Sequence, residues 1–117
     1  MLHLSLSCKY YLYRASTDMR KGFDSLSGMV MQQMQMNALS GDVFIFINKK
    51  RNQIKLLLWE GDGFSLYYKR LEQGTYELPA IDKNSNSVNI TSQQLQLILQ
   101  GISLKSVRRR KRYQHAA

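Results

Sequence analysis

The groups able to do chemistry in this 117-residue chain are eight carboxylates, two histidines, one cysteine and seventeen lysine and arginine side chains. The carboxylates are scattered. Asp18 and Asp24 flank a helical stretch, Asp42 precedes a strand, Glu60 and Asp62 fall in a turn, and Glu72, Glu77 and Asp82 come later. Acid–base catalysis needs titratable groups whose geometry and pKa are set against one another, and this scatter offers no such pair. His3 and His115 stand near opposite termini, which leaves no Ser-His-Asp arrangement. Cys8 beside them makes neither a metal-ligand spacing nor an internal disulfide. Gly61-Asp62-Gly63 is too short to cradle a phosphate and opens a strand, not a helix. One enzymatic pattern can be tested. Asp42 with Gln53-Ile54-Lys55 has the spacing of a Mg²⁺-dependent nuclease core, an acid followed by an acid-any-lysine triplet. Gln53 puts a neutral carbonyl where that chemistry wants a charged oxygen ligand, so only a degenerate nuclease-like domain would fit. The expectation is a chain with no catalytic residues, no metal and no cofactor.

The chemistry left is that of binding. The formal charge is +9, and its placement is uneven. Lys105, Arg108, Arg109, Arg110, Lys111 and Arg112 lie beyond residue 104 with no acid among them, so two thirds of the excess sits in residues 105–117. Such a run holds phosphate backbones by counterion release without reading sequence; a solubilising tail or a membrane-surface patch are the plainer readings. Residues 1–104 add further candidate phosphate contacts at Arg20, Lys21, Lys49, Lys50, Arg51, Lys55, Lys69 and Arg70. The opening Met1-Leu2-His3-Leu4-Ser5-Leu6-Ser7-Cys8 is too short and polar for a signal peptide's apolar region, and no run approaches the roughly 20 apolar residues of a spanning helix. A cytoplasmic protein with no membrane partner is expected.

These cations need a scaffold, and 117 residues suffice for one hydrophobic core. Residues 1–104 read as a single α+β domain and 105–117 as a basic tail. Residues 9–14 (KYYLYR) form a short first strand. A helix follows from Asp18, its cap, with Phe23, Leu26, Val30 and Met34 at helical spacing and Asn37 near the stop. Arg20 and Lys21 then fall in its first turn, where the macrodipole disfavours cations; a bound phosphate, or a pairing with Asp18 or Asp24, would hold them there. Gly22 and Gly28 weaken the helix by about 1 kcal/mol each, tolerable if a small residue lets it sit close to a sheet. Met29, Met31, Met34 and Met36 read as core filler.

Val43-Phe44-Ile45-Phe46-Ile47, residues 53–59 (QIKLLLW) and residues 64–70 (FSLYYKR) are strands separated by the polar turn 48–52 and by Gly61-Asp62-Gly63, an antiparallel meander in a sheet of three to five strands. A short extended piece, 75–78, ends at Pro79, and 83–87 is a surface loop. Thr91 with Gln94 is a capping box, and Ile90 is placed to staple onto Leu95. The second helix carries Leu95, Ile98, Leu99 and Ile102 to a stop at Gly101.

Pairing Asn48 with Gln53 and Glu60 with Gly63 sorts the meander into two faces. One holds Val43, Ile45, Ile47, Ile54, Leu56 and Leu58, suited to receive the first helix. The other mixes Phe44, Phe46, Leu57, Trp59, Phe64, Leu66 and Tyr68 with Lys55 and Arg70. That mixture is either a platform on which unpaired bases stack or a second core, covered by the Thr91 helix or another subunit.

Thr17-Asp18-Met19-Arg20-Lys21-Gly22-Phe23-Asp24-Ser25-Leu26, then Ser40-Gly41-Asp42-Val43-Phe44-Ile45-Phe46, Ile54-Lys55-Leu56-Leu57 with Trp59, and Tyr67-Tyr68-Lys69-Arg70-Leu71-Glu72-Gln73-Gly74 resemble the small TnpB-type accessory proteins of bacterial insertion sequences of the insertion-sequence-66 family. The likeness runs from about Tyr10 to Ile102. Tyr76 stands where the family suggests Phe, and the Arg-rich tail is not carried over from it. What the resemblance implies is a non-catalytic helper of transposition, encoded beside a transposase and a second accessory protein, its partners. With the charge, it implies a DNA contact at the element's ends and leaves self-association open. The other reading is an adaptor that touches only the transposase.

Overall fold

The computed structural model describes residues 8–79 and 84–100. The elements run β1 (Tyr10–Tyr13), α1 (Phe23–Gln32), β2 (Val43–Ile47), β3 (Gln53–Trp59), β4 (Phe64–Arg70), β5 (Ser87–Ile90) and α2 (Ser92–Gln100). Strands β2, β3 and β4 form the expected antiparallel meander, with Ile47 opposite Ile54, Val43 opposite Leu58 and Trp59 opposite Phe64. The turns fix this register. Asn48 N–H donates to the Gln53 carbonyl at 3.1 Å, and Asn48 Oδ1 accepts from the Asn52 and Gln53 amides at 3.0 Å. Glu60 N–H donates to the Gly63 carbonyl at 2.9 Å, with Gly61 at φ +95°.

The five strands lie in the order β4-β3-β2-β1-β5. β1 runs parallel to β2, with Tyr10 beside Val43, so the sheet is mixed, and α1 is the crossover that a parallel pair requires. β5 pairs antiparallel with β1. It begins at Ser87, the last residue of the stretch expected to be loop. The expected extended piece at 75–78 is not a strand, but Tyr76 is buried there, its N–H bonded to the Arg51 carbonyl at 2.7 Å.

Both faces are covered, with the helices exchanged relative to expectation. Val43, Ile45, Ile47, Ile54, Leu56 and Leu58 pack with Leu95 and Ile98 of α2 and with Tyr76. Phe44, Phe46 and Leu57 pack under Leu26 and Val30 of α1, with Met34 and Ala38 beyond it. Alternation fixes which side chains share a face, and either apolar helix could answer either face; the β1-α1-β2 crossover decides. Of the four methionines read as filler, Met34 is buried, Met29 and Met36 pack partly, and Met31 is exposed.

Helix α1 starts later than expected. Its N-cap is Gly22, with no side-chain cap bond, because the Asp18 carboxylate is used locally: Oδ1 accepts the Arg20 N–H at 2.9 Å. A side chain bonded to a neighbouring amide competes with helix initiation, so Arg20 and Lys21 lie in a turn ahead of the helix. Nor does Gly28 serve a close approach, since a Cβ there would meet nothing within 4 Å. Gly28→Ala is therefore expected to stabilise the fold by about 0.5–1 kcal/mol, read as a shift in the denaturant midpoint; a loss would mean that α1 needs the space. α2 begins as expected, with Gln94 N–H on Thr91 Oγ1 at 3.0 Å and Thr91 N–H on Gln94 Oε1 at 2.9 Å. Ile90 and Leu95 share one core. Gly101, Ile102 and the six tail cations lie outside the described residues.

Candidate nucleic-acid interface

The β2–β3 turn carries Lys49, Lys50 and Arg51, all exposed and with no ion pair among the described residues. Arg51 adopts a left-handed conformation, φ +58°. The segment after β1 is drawn against this turn by a hydrogen bond from Thr17 N–H to the Ile47 carbonyl at 2.9 Å. Between segment and turn lies a groove of about 640 Å³, lined by Asp18 and Arg20 on one bank, Lys49, Lys50 and Gln53 on the other, and Tyr68. Thr17 also lines it, though its Oγ1 is buried and has no hydrogen-bond partner among the described residues.

The structure sorts the candidate cations into engaged and free. Arg20 makes a bidentate contact with Asp18, Nη2 to Oδ2 at 2.7 Å and Nε to Oδ1 at 3.1 Å. The guanidinium beside it holds the Asp18 carboxyl down at about 2, so it stays ionised throughout the neutral range. This is the pairing expected as the alternative to a phosphate. Lys21 is exposed outside the groove lining. Lys55 is buried, its Nζ donating to the Lys21 carbonyl at 2.8 Å and lying 4.7 Å from the Tyr68 ring centre. Lys69 Nζ donates to the Leu99 carbonyl at 2.8 Å, in the last turn of α2, where a cation complements the macrodipole. Arg70 pairs with Glu72 at 3.1 Å.

The aromatic face is divided. Phe44, Phe46 and Leu57 are core beneath α1, which overturns the continuous platform. Trp59 packs edge-on to Phe64 at 5.0 Å, beside the acidic turn of Glu60 and Asp62. Tyr68 alone remains largely exposed, at 52%, with its hydroxyl on Gln53 Oε1 at 3.0 Å. Charge is uneven along the strands: Lys49, Lys50 and Arg51 gather at the β2–β3 turn with Asp18 nearby, while Asp42, Glu60 and Asp62, with Lys9 beside Asp42, lie at the opposite end. Alternation and the turn signals place these groups, but nothing local in the sequence announces the Thr17-to-Ile47 contact that closes the groove. Among the described residues no three His, Cys, Asp or Glu side chains gather as a metal site, and no helix is long and apolar enough to cross a membrane.

Tyr76, the departure from the resemblance, has a place for its hydroxyl. The ring is buried and the OH donates to the Lys69 carbonyl at 3.3 Å, with burial pushing the phenol's pKa upward.

Comparison with known proteins agrees with the resemblance. The family described as IS66 Orf2 like protein matches residues 8–109. Two proteins of Sinorhizobium fredii are similar: y4hO, 30% identical over 87% of this chain and 87% of its own length, and y4jC, 25% identical over 80% and 78%. Both are described as uncharacterized. No solved structure matches the chain. The chain belongs to the IS66 Orf2-like family, a family of transposition accessory proteins.

Proposed function

We propose that the protein assists transposition, without catalysing a step, by binding the element's DNA through the basic end of its sheet and the tail cations. The observation that carries this is the charge polarity of the fold. Lys49, Lys50 and Arg51, without an ion pair among the described residues, project at one end, and the acids of the β3–β4 turn stand at the other, so the β2–β3 end is the one that attracts a polyanion more strongly. The test is a titration of the full chain against the element's end DNA and a scrambled duplex at several salt concentrations. Affinity that falls steeply with salt supports DNA binding. Equal affinity for the two duplexes assigns recognition of the ends to the transposase.

The groove supplies a finer prediction. Asp18 is the only carboxylate among the described residues that line it. Asp18→Asn keeps an oxygen for the Arg20 N–H, removes one negative charge and releases the guanidinium. DNA affinity should rise severalfold at low salt, and the salt slope should steepen by about one unit. An affinity that does not move would place the DNA away from this groove.

An adaptor reading has its own observation. At the acidic end, Cys8, Leu39, Leu58 and Trp59 line a second groove of about 590 Å³, and Leu39 is 54% exposed. Apolar surface of this kind suits protein contact. An adaptor keeps its affinity for the transposase as salt rises, whereas DNA binding collapses.

A further inference from the structure

We propose that the groove beside Tyr68 is a subsite for an unpaired nucleotide of single-stranded DNA, the base stacking on the Tyr68 ring and its phosphates lying against Lys49 and Lys50. The proposal deepens the DNA-binding reading and rests on it. The combination of three features sets Tyr68 apart from the other aromatic residues of its face. It is on the exposed edge strand β4, half open to solvent, and it lines the groove that holds the free cations. Its position is fixed from two directions: the hydroxyl is bonded to Gln53 Oε1 at 3.0 Å, and the Lys55 ammonium stands 4.7 Å from the ring centre. Lys55 is itself buried and tied to the Lys21 carbonyl. A ring held in this way loses little freedom when a base settles on it.

The ligand class follows from the combination. A lysine pair attracts any phosphate, but an exposed, tethered ring adds affinity only for a flat partner with an accessible face. In a duplex the base faces are stacked on one another, so a ring at the groove wall meets sugar and phosphate alone. An unpaired strand offers bases at no unstacking cost, and the groove, at about 640 Å³, falls within the roughly 300–1,000 Å³ of sites that enclose small ligands. Trp59 and Phe64 do not compete for this role, since they pack on each other beside Glu60 and Asp62, where a phosphate is repelled.

The experiment measures anisotropy of labelled oligonucleotides with the full chain. The strands are a thymine oligonucleotide, an abasic strand with the same number of phosphates, and a duplex of the same length. The thymine strand should bind about tenfold more tightly than the abasic strand. Tyr68→Ala should remove that difference, Tyr68→Phe should retain it, and Lys49→Ala with Lys50→Ala should weaken both strands alike. The comparison of strands on the unmodified protein needs no variant, so it stands even if Tyr68→Ala folds poorly. Equal binding of thymine and abasic strands overturns the subsite and leaves DNA binding by charge intact. A Tyr68→Ala protein that folds and still prefers thymine also overturns it. Failure to bind any of the three overturns both readings.

Discussion

Ending the chain at residue 104 is expected to lower the slope of log K against log salt for duplex DNA by roughly five units. Six cations, Lys105, Arg108, Arg109, Arg110, Lys111 and Arg112, are removed with no acid to offset them. Each phosphate contact contributes about 0.9 to the slope, so the estimate assumes that all six meet phosphates. The shortened protein retains eleven cations against eight acids, a formal charge of +3, and several of those cations are engaged within the molecule: Arg20 with Asp18, Arg70 with Glu72, Lys55 with the Lys21 carbonyl. What remains is the groove and the exposed cations around it. Titrations of both lengths at matched salt concentrations check this, and the result divides binding into two parts. A slope reduced by five with a residual preference for DNA gives the tail most of the affinity and the groove the local contact. An unchanged slope means that the tail touches no phosphate.

The meander and its register were legible because strong local signals agreed. Ile54, Leu56 and Leu58 alternate with residues of the opposite face, and Asn48 and Gly61 supply the turn geometry that sets strand against strand. The capping box of Thr91 and Gln94 was legible for the same reason, since its two bonds span only three residues. The parallel pairing of β1 with β2 was not. It brings Tyr10 beside Val43 across an entire helix and loop, and no local pattern distinguishes that from an antiparallel return. β5 was hidden because Ser87-Val88-Asn89-Ile90 has little strand character and pairs through its backbone at the margin of the sheet.

The candidate cations were legible as residues and illegible as contacts. Lys49 and Lys50 announce themselves, since a polar hairpin turn must be exposed. Lys55 looked equivalent in the sequence, yet its ammonium answers a carbonyl 34 residues away, and Lys69 answers one 30 residues away. Such partners come from tertiary packing. The same holds for Asp18, which had the position of a helix cap but whose carboxylate is taken by the Arg20 amide and guanidinium. Burial and pairing, more than residue type, decide which positive charges a polyanion can reach.

Phe46→Ala is expected to destabilise the domain by about 3–5 kcal/mol, and it tests whether this face of the sheet is core or an open platform. Phe46 is fully buried, lies with Phe44 and Leu57 beneath Leu26 and Val30 of α1, and has the Tyr13 ring 6.0 Å away. Truncation removes a whole ring from a layer bounded by strand backbone on one side and a ten-residue helix on the other, and neither can collapse fully into the space. Domains of this kind have about 5–15 kcal/mol in total, so the variant should sit near its unfolding transition at physiological temperature. Chemical denaturation followed by Trp59 fluorescence reads the change, because Trp59 is half-buried against Phe64 at the far end of the same sheet and is not itself altered. The alternative, in which this face is an open platform for bases, makes the opposite forecast: the denaturation midpoint would hold and affinity for single-stranded DNA would fall. A loss of several kcal/mol of unfolding free energy, measured without DNA, makes Phe46 core and not platform. It then leaves Tyr68, outside that core and beside the cations, as the aromatic residue of this face that a nucleotide can reach.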